Sequence, residues 1–449
     1  MKKILFGLIA FACANTSFSQ DVSQKLDELM RAYAKVDRFN GTVLVARKGV
    51  VLLEKGYGYR NIQNNTMNDA GSIFEIASVT KQFTATVVLK LLALHQLSLS
   101  DKLSKYYPGY PHGDSITIEN LLTHTSGIWD YTHDAQFMHS KAAQPMNEEK
   151  MLALFKDKPL DFAPGTGWSY SNSGYSLLGY IIQKVTGMSY ESNVRKYIFT
   201  PLQMNNSGFD FTHLVSAQKT VGYYGDSTER PVKPAPVADS SIPFAAGAIY
   251  STVGDLYKWH RALQAYKIIS KDLLQKAYTP FRHQYGYGWI IDSLEGKLLV
   301  SHSGGIFGFR SNIARVPEDD ICVILLDNTE VPGMESITRN IFSVVYNRPY
   351  YLPGTLNEVL LPEALLQRYT GTYEIAERKL IIDITVENGR LLASPHNGPR
   401  SVLCALDETH FFLQTEDEFK ISFEKDTAGK VDKLLLDQNG RIGIAKKIK

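Results

Sequence analysis

Apolar positions fall into three patterns along the chain, and the order of those patterns outlines a fold. Between Gly41 and Tyr59 they run as two strand-like stretches, Thr42 to Ala46 and Val50 to Glu54, with Arg47-Lys48-Gly49 as the turn between them. From Ser78 the period lengthens: Phe83, Val87, Leu91 and Leu94 recur every three or four residues, the spacing of a buried helix reaching about Gln96. Helical spacing returns at Glu148 to Phe155, Ser173 to Thr186 and Thr252 to Ala265, and Gly187 is placed to end the second of these. Strand-like runs follow at Tyr287 to Ile291, Lys297 to Ser301, Ser311 to Val316 and Ile321 to Leu326. Strands on both sides of a helical middle predict a mixed α/β fold in which early and late strands share one sheet.

After Tyr346 the pattern stops. Asn347 to Gly354 holds two prolines and a glycine without periodicity, which predicts a linker, taken over residues 346–362. Beyond it, short alternating runs are punctuated by Asn388-Gly389, Asn397-Gly398 and Asn439-Gly440, dipeptides suited to tight hairpins. Residues 363–449 are therefore expected to form a small antiparallel, barrel-like β domain appended to a larger domain over residues 21–345. A carbohydrate-binding module is the alternative for this tail, but Phe411, Phe412 and Phe423 suit a core better than a binding face.

Composition narrows the function classes. The 449 residues are 44% hydrophobic and 21% charged, and 48 basic against 46 acidic residues leave a net charge of +2. With no long Lys/Arg run, the chain lacks the electrostatic footprint of a nucleic-acid binder. Met1 to Gln20 has Lys2 and Lys3, an apolar run Ile4 to Ala14 and a small polar end, the pattern of a secretory leader. A secreted protein, in the bacterial periplasm or outside, is expected; a lipid anchor through Cys13 is the weaker alternative, since the residues before it fit acylation poorly. No later stretch approaches the roughly 20 apolar residues of a transmembrane helix. Cys322 and Cys404, among apolar neighbours, read as buried free thiols, and the 11 histidines have no metal-ligand spacing.

Three short motifs carry possible chemistry. Ser78-Val79-Thr80-Lys81 puts a hydroxyl and an ammonium one helical turn apart, so a nearby charge can ease deprotonation of the serine. Tyr170-Ser171-Asn172 follows Pro164-Gly165 and precedes a helix; its phenol could exchange a proton with Ser78. His302-Ser303-Gly304-Gly305 follows a strand, where glycines let a substrate backbone lie close and an N–H can complete an oxyanion hole. Each motif alone is weak: Ser216 to Lys219 and Ser422 to Lys425 repeat the first pattern, and Tyr59-Arg60-Asn61 the second. His124-Thr125-Ser126-Gly127 reads as a turn that shapes the site.

Taken in order, these phrases, with Phe74-Glu75-Ile76-Ala77 before Ser78 and Leu121-Leu122-Thr123 before His124, resemble the serine β-lactamase-like superfamily. The likeness is to its class C β-lactamase, D-alanyl-D-alanine carboxypeptidase and esterase group, over roughly residues 25 to 345. It implies an antiparallel sheet flanked by helices with a helical subdomain. By the same resemblance Ser78 is the acylated nucleophile, Lys81 its electrostatic partner, and Tyr170 the general base and acid. Asn172 orients Lys81 and the substrate, the N–H groups of Ser78 and Gly305 form the oxyanion hole, and His302 positions substrate or tunes Tyr170, with Ser303 and Gly304 beside it. No metal or cofactor is implied. Relatives with β-lactamase activity usually have Lys where this chain has His302, which with an ordinary pKa near ~6.5 is largely neutral at pH 7. The tail from Tyr369-Thr370-Gly371-Thr372-Tyr373 resembles a lipocalin-like domain. The expected function is hydrolysis of a small peptide, amide or ester through a Ser78 acyl-enzyme, with D-residue or cell-wall peptides and carboxylic esters level as substrates. A β-lactamase or penicillin-binding carboxypeptidase is the nearer alternative, a non-catalytic sensor or scaffold the more distant one; oligomeric state is left open.

Overall fold

Two strands from the start of the chain meet four from near residue 300 in one sheet. The computed structural model describes residues 20–224, 233–330, 333–376, 380–396, 398, 400–414, 416–438 and 441–449. Leader residues 1–19 with Cys13, Asn397 and the Asn439-Gly440 turn lie outside them. A helix α1 spans residues 20–35. The sheet is built from β1 (Gly41–Arg47), β2 (Val50–Tyr57), β3 (Ile290–Leu294), β4 (Lys297–Ile306), β5 (Phe309–Val316) and β6 (Ile321–Asp327), in the order β2-β1-β6-β5-β4-β3. Every neighbouring pair is antiparallel. The β1–β2 hairpin turns on Lys48 and Gly49, both at positive φ (50° and 78°), as a two-residue primed turn requires.

Helices α2 (Thr80–Ala93), α3 (Asn172–Thr186), α4 (Val253–Gln264) and α5 (Met334–Val345) supply the rest of the frame. Helix α4 packs on β1 and β6, α5 on β5 and β6, and α2 against α3. Caps fix the ends of α3 and α4: Ser171 and Thr252 accept from the N–H of Gly174 and Asp255, and Gly187 closes α3 at φ 68°. Two strand expectations shift. The strand expected at Tyr287 starts at Ile290, because Gly288 turns at φ 76° against the Lys81 carbonyl, where a Cβ would sit 2.6 Å away. β4 runs past Ser301 to Ile306, its glycines held in register by β5.

The chain divides into two compact units, Phe39–Arg348 with the residues up to Asp27, and Glu28–Arg38 with Pro349–Lys449. Residues 346–362 have neither helix nor strand, and in the second unit eight strands close into a barrel. They are β7 (Gly371–Ile375), β8 (Leu380–Glu387), β9 (Arg390–Pro395), β10 (Ser401–Ala405), β11 (His410–Leu413), β12 (Glu416–Lys425), β13 (Val431–Gln438) and β14 (Arg441–Lys447). Asn388 and Gly389 make the β8–β9 turn at φ 51° and 72°. The barrel has its own core around Tyr369, Tyr373, Phe411 and Phe423. Cys322 and Cys404 are buried and free.

Candidate active site

The chain enters the site through a two-residue ladder in which Phe74 and Glu75 pair with Ser251 and Tyr250. The Ile76 N–H then donates to Ile249 O at 2.9 Å, and a 3-10 turn, Ala77–Val79, leads into α2. Ala77 sits at φ 45°, a left-handed conformation costly for a residue with a Cβ. This sharp turn leaves Ser78 half-exposed while Ala77 and Val79 are buried.

Lys81 is fully buried, and its Nζ lies 3.1 Å from Ser78 Oγ, 2.8 Å from Asn172 Oδ1 and 2.8 Å from the Ala246 carbonyl. Two of those three partners can only accept, so a neutral amine gives its two hydrogens to Asn172 and Ala246 and turns its lone pair toward the Ser78 hydroxyl. Burial lowers the Lys81 pKa to about 7, against the opposing pull of the Asp130 carboxylate. Near neutrality a large fraction of the molecules therefore holds Lys81 as the free amine.

The direction of the Asn172 amide is not left to chance. Its Nδ2 donates to Asp130 Oδ2 at 2.9 Å and its backbone N–H to the same oxygen at 3.0 Å, which leaves Oδ1 facing Lys81. Asp130 is itself buried, with Oδ1 accepting from the N–H and hydroxyl of Thr132, each at 2.9 Å. Tyr170 sits beside Ser78, whose hydroxyl bears on its titration, and its ring lies 4.7 Å from Lys81 Nζ. Burial raises the Tyr170 pKa, the Ser78 contact lowers it and the Asp130 charge raises it, with a net rise that keeps the phenol protonated.

His302 is buried, and its Nδ1 is 2.6 Å from the Ser303 carbonyl, which can only accept. The ring proton therefore sits on Nδ1, and Nε2 accepts from the Tyr285 hydroxyl at 2.9 Å. Burial, and then the Lys81 charge, lower its pKa to about 3, so the ring is neutral. The glycines matter more for shape: a Cβ on Gly304 would stand 2.4 Å from Ile76 O and 3.0 Å from Ser78 N. β3 leaves β4 after Ser301, so residues 302–306 keep one strand edge unpaired by β3 beside the Ser78 turn. His124, also at positive φ (60°), accepts from Ser171 N at 3.0 Å and packs its ring 4.3 Å from that of Tyr170.

Ser78, Asn172 and Gly305 line one cleft of about 370 Å³ with Tyr131, Ile242, Ile306 and Arg310. Ser303 instead lines a neighbouring hollow with Gly333 and Met334. The structure thus joins Ser78, Lys81, Tyr170 and Asn172 directly and sets Gly304 against them, while His302 reaches the group only through Tyr285 and ring packing. Asp130, Ala246 and Tyr285 had no motif to announce them. The one signal was Asp130-Tyr131-Thr132, an Asp two residues before a hydroxyl, as in a turn capped by its own side chain.

Residues 25–346 match the family described as beta-lactamase. The chain belongs to the beta-lactamase family. It is 30% identical to "Penicillin-binding protein 4*" of Bacillus subtilis (strain 168) over 422 residues, 88% of this chain and 92% of the relative. Among solved structures it is similar to the octameric penicillin-binding protein homologue from Pyrococcus abyssi (26% identity, TM-score 0.67, 94% of this chain and 99% of the other). It is also similar to a D-stereospecific amidohydrolase from Streptomyces sp. (26% identity, TM-score 0.62, 72% and 97%). The mixed α/β architecture of the beta-lactamase family is as the motifs implied, and the closed barrel fits the lipocalin-like likeness of the tail. Residues 357–444 match a second description, a domain of unknown function (DUF3471).

Proposed function

We propose that the protein is a serine hydrolase that passes the acyl group of a small peptide, amide or ester to Ser78 and then to water. The observation that carries this reading is the Lys81 amine held 3.1 Å from Ser78 Oγ by two fixed acceptors. Neutral Lys81 takes the Ser78 proton as Oγ bonds to the substrate carbonyl, whose oxygen gains the electron pair and faces the N–H groups of Ser78 and Gly305. When the carbonyl reforms and the C–N or C–O bond breaks, the leaving group takes the Tyr170 proton and Tyr170 is reprotonated from Lys81. Water then repeats the cycle on the acyl-enzyme. Lys81 as base and Tyr170 as acid departs from the route that the family likeness implies, and follows from the environments that hold one as an amine and the other as a phenol.

The apolar part of the cleft favours an acyl half with an apolar side chain, and the likeness to a D-stereospecific amidohydrolase favours amides of D-residues within this class. Neutral, buried His302 offers no cation for a β-lactam carboxylate, and the Arg310 guanidinium in the cleft is paired with Glu330 at 3.7 Å, which argues against efficient β-lactam turnover. The leader-like first 20 residues support a reaction outside the cytoplasm. Intact-mass measurement after incubation with benzylpenicillin, D-phenylalaninamide and p-nitrophenyl acetate tests it. Turnover or an adduct in the wild type and none in Ser78→Ala is expected; wild type and Ser78→Ala alike with all three reagents would leave the binding-only alternative.

A further inference from the structure

Tyr170 stands in a stretch, residues 161–171, that has neither helix nor strand, and the turn at residues 124–127 holds that stretch in place. Four backbone N–H groups along it donate to the turn: Asp161 to Gly127 O at 2.8 Å, Gly165 to Thr125 O at 2.7 Å, Ser169 to His124 O at 3.1 Å, and Ser171 to His124 Nδ1 at 3.0 Å. Three of those acceptors are carbonyls. The fourth is a side chain, and it serves the N–H directly after Tyr170. His124 therefore holds the residue before Tyr170 with its carbonyl and the residue after it with its ring. It does so at φ 60°, a left-handed conformation costly for a residue with a Cβ. Glycine, the usual occupant of such a turn, supplies the carbonyl but no ring.

The ring carries a second cost. Ser171 N–H can only donate, so Nδ1 is bare and neutral His124 keeps its proton on Nε2. That Nε2–H is buried without a hydrogen-bond partner among the described residues, with the ring centroids of Tyr175 and Tyr285 5.1 and 4.6 Å from its own. Packing alone would be served as well by phenylalanine, which brings no buried polar atom to satisfy. What histidine adds is the bond to Ser171. Burial foremost, and then the Lys81 charge, hold its pKa well below the ordinary value, so Nδ1 remains an acceptor around neutral pH. The other side of Ser171 is fixed independently: its Oγ donates to Ile128 O at 3.0 Å and accepts from Gly174 N at 3.1 Å, and Asn172 has its two bonds to Asp130. Loss of the Nδ1 acceptor therefore frees Tyr170, while Lys81 and Asn172 keep their own partners.

We propose that His124 is the positioning residue of Tyr170, fixing through Ser169 and Ser171 the place from which the phenol hands its proton to the leaving group. The inference rests on the reading of Tyr170 as the acid of the Ser78 reaction. A misplaced acid is felt in proportion to the leaving group's need for a proton. p-Nitrophenolate departs as a stable anion and needs little help, whereas phenolate needs more and an amine cannot leave without a proton. His124 should therefore matter for poor leaving groups and hardly at all for good ones, which a residue that only supports the fold would not do.

The test measures kcat/KM of the full chain on p-nitrophenyl, p-chlorophenyl and phenyl acetate, which share one acyl group. Turnover by the wild type and none by Ser78→Ala is the condition set by the underlying reading, and without it both fall. His124→Phe keeps a ring and loses the acceptor; like Tyr170→Phe, it should lose less than about threefold on p-nitrophenyl acetate and roughly 100-fold on phenyl acetate. His124→Asn, whose Oδ1 falls near the Nδ1 position and which tolerates a left-handed turn, should recover most of that loss. If His124→Phe loses all three esters equally, or none, while Tyr170→Phe remains selective, His124 is a packing residue and the inference is overturned with the hydrolase reading intact. If Tyr170→Phe is itself unselective, the acid assignment and the inference fall together. Should circular dichroism show His124→Phe unfolded, His124→Gln, whose amide extends past the Nδ1 position, takes its place with the same outcomes.

Discussion

The Lys81 amine is where a single proton decides the chemistry. Its lowered pKa of about 7 means that the ammonium dominates below that pH and the amine above it. With the amine as base, kcat/KM for an activated ester should fall tenfold per pH unit below the acid limb near pH 7 and level off above it. Lys81→Met should lose roughly 100- to 10,000-fold, the usual worth of a positioned base. Asp130 is a positioning residue that acts on Lys81 in two ways: it fixes the Asn172 amide by hydrogen bonds at 2.9 and 3.0 Å, and its charge favours the ammonium. Removing the charge in Asp130→Asn should therefore move the acid limb to lower pH, while the loosened Asn172 costs kcat roughly 100-fold. Thr132→Val, which keeps the carboxylate, should leave the midpoint in place. A limb unmoved in Asp130→Asn would reduce Asp130 to a structural cap.

At the level of elements, the site depends on close approach between the Ser78 turn and β4. Gly304 allows it, since a Cβ there would meet Ile76 O at 2.4 Å and Ser311 Oγ at 2.5 Å. Gly304→Ala should lower stability by about 1–3 kcal/mol in a denaturant melt. It should also abolish Ser78 acylation even where the chain remains folded, because relief of the clash separates the strand from the turn. Ala77 gives the opposite sign: Ala77→Gly removes the left-handed penalty at φ 45° and should gain about 0.5–1 kcal/mol. Elements with a clean period were legible in the sequence, among them the β1–β2 hairpin, α2, α3, α4 and the strands β5 and β6. So were the four side chains that meet at Ser78, because local spacing and phrase order carry them. Helix α5 carries a readable period as well, with Met334, Ile337, Ile341 and Val345 every three or four residues, although neither it nor α1 was among the expected helices. Asp130 and Ala246 could not be read off, because a contact 42 or 165 positions away in the chain exists only once α3 and the turn at Phe244–Gly247 are packed. For His302 two roles stood open, positioning substrate or tuning Tyr170, because a motif gives a residue's place on the strand and not the partner, here Tyr285, that holds its ring.

For the whole molecule, two cores imply two stabilities. The catalytic unit buries one large cluster that includes Phe83, Trp259, Ile313 and Ile324, while the barrel buries another around Tyr369, Phe411 and Phe423. A chain with separate cores need not unfold in one step. Phe423 is 3% exposed and meets Tyr369, Tyr373 and Phe411, so Phe423→Ala leaves a cavity in the barrel core. The cost should be about 3–5 kcal/mol, a large part of what a domain of this size holds in reserve. Calorimetry of the full chain should then show one transition moved down or lost, while the transition that carries the catalytic unit keeps its midpoint. Labelling of Ser78 by a p-nitrophenyl ester between the two transitions reports the same separation, since acylation should continue after the barrel has melted. A single transition that shifts as a whole in Phe423→Ala, with Ser78 labelling lost alongside it, would mean that the catalytic unit takes its stability from the barrel.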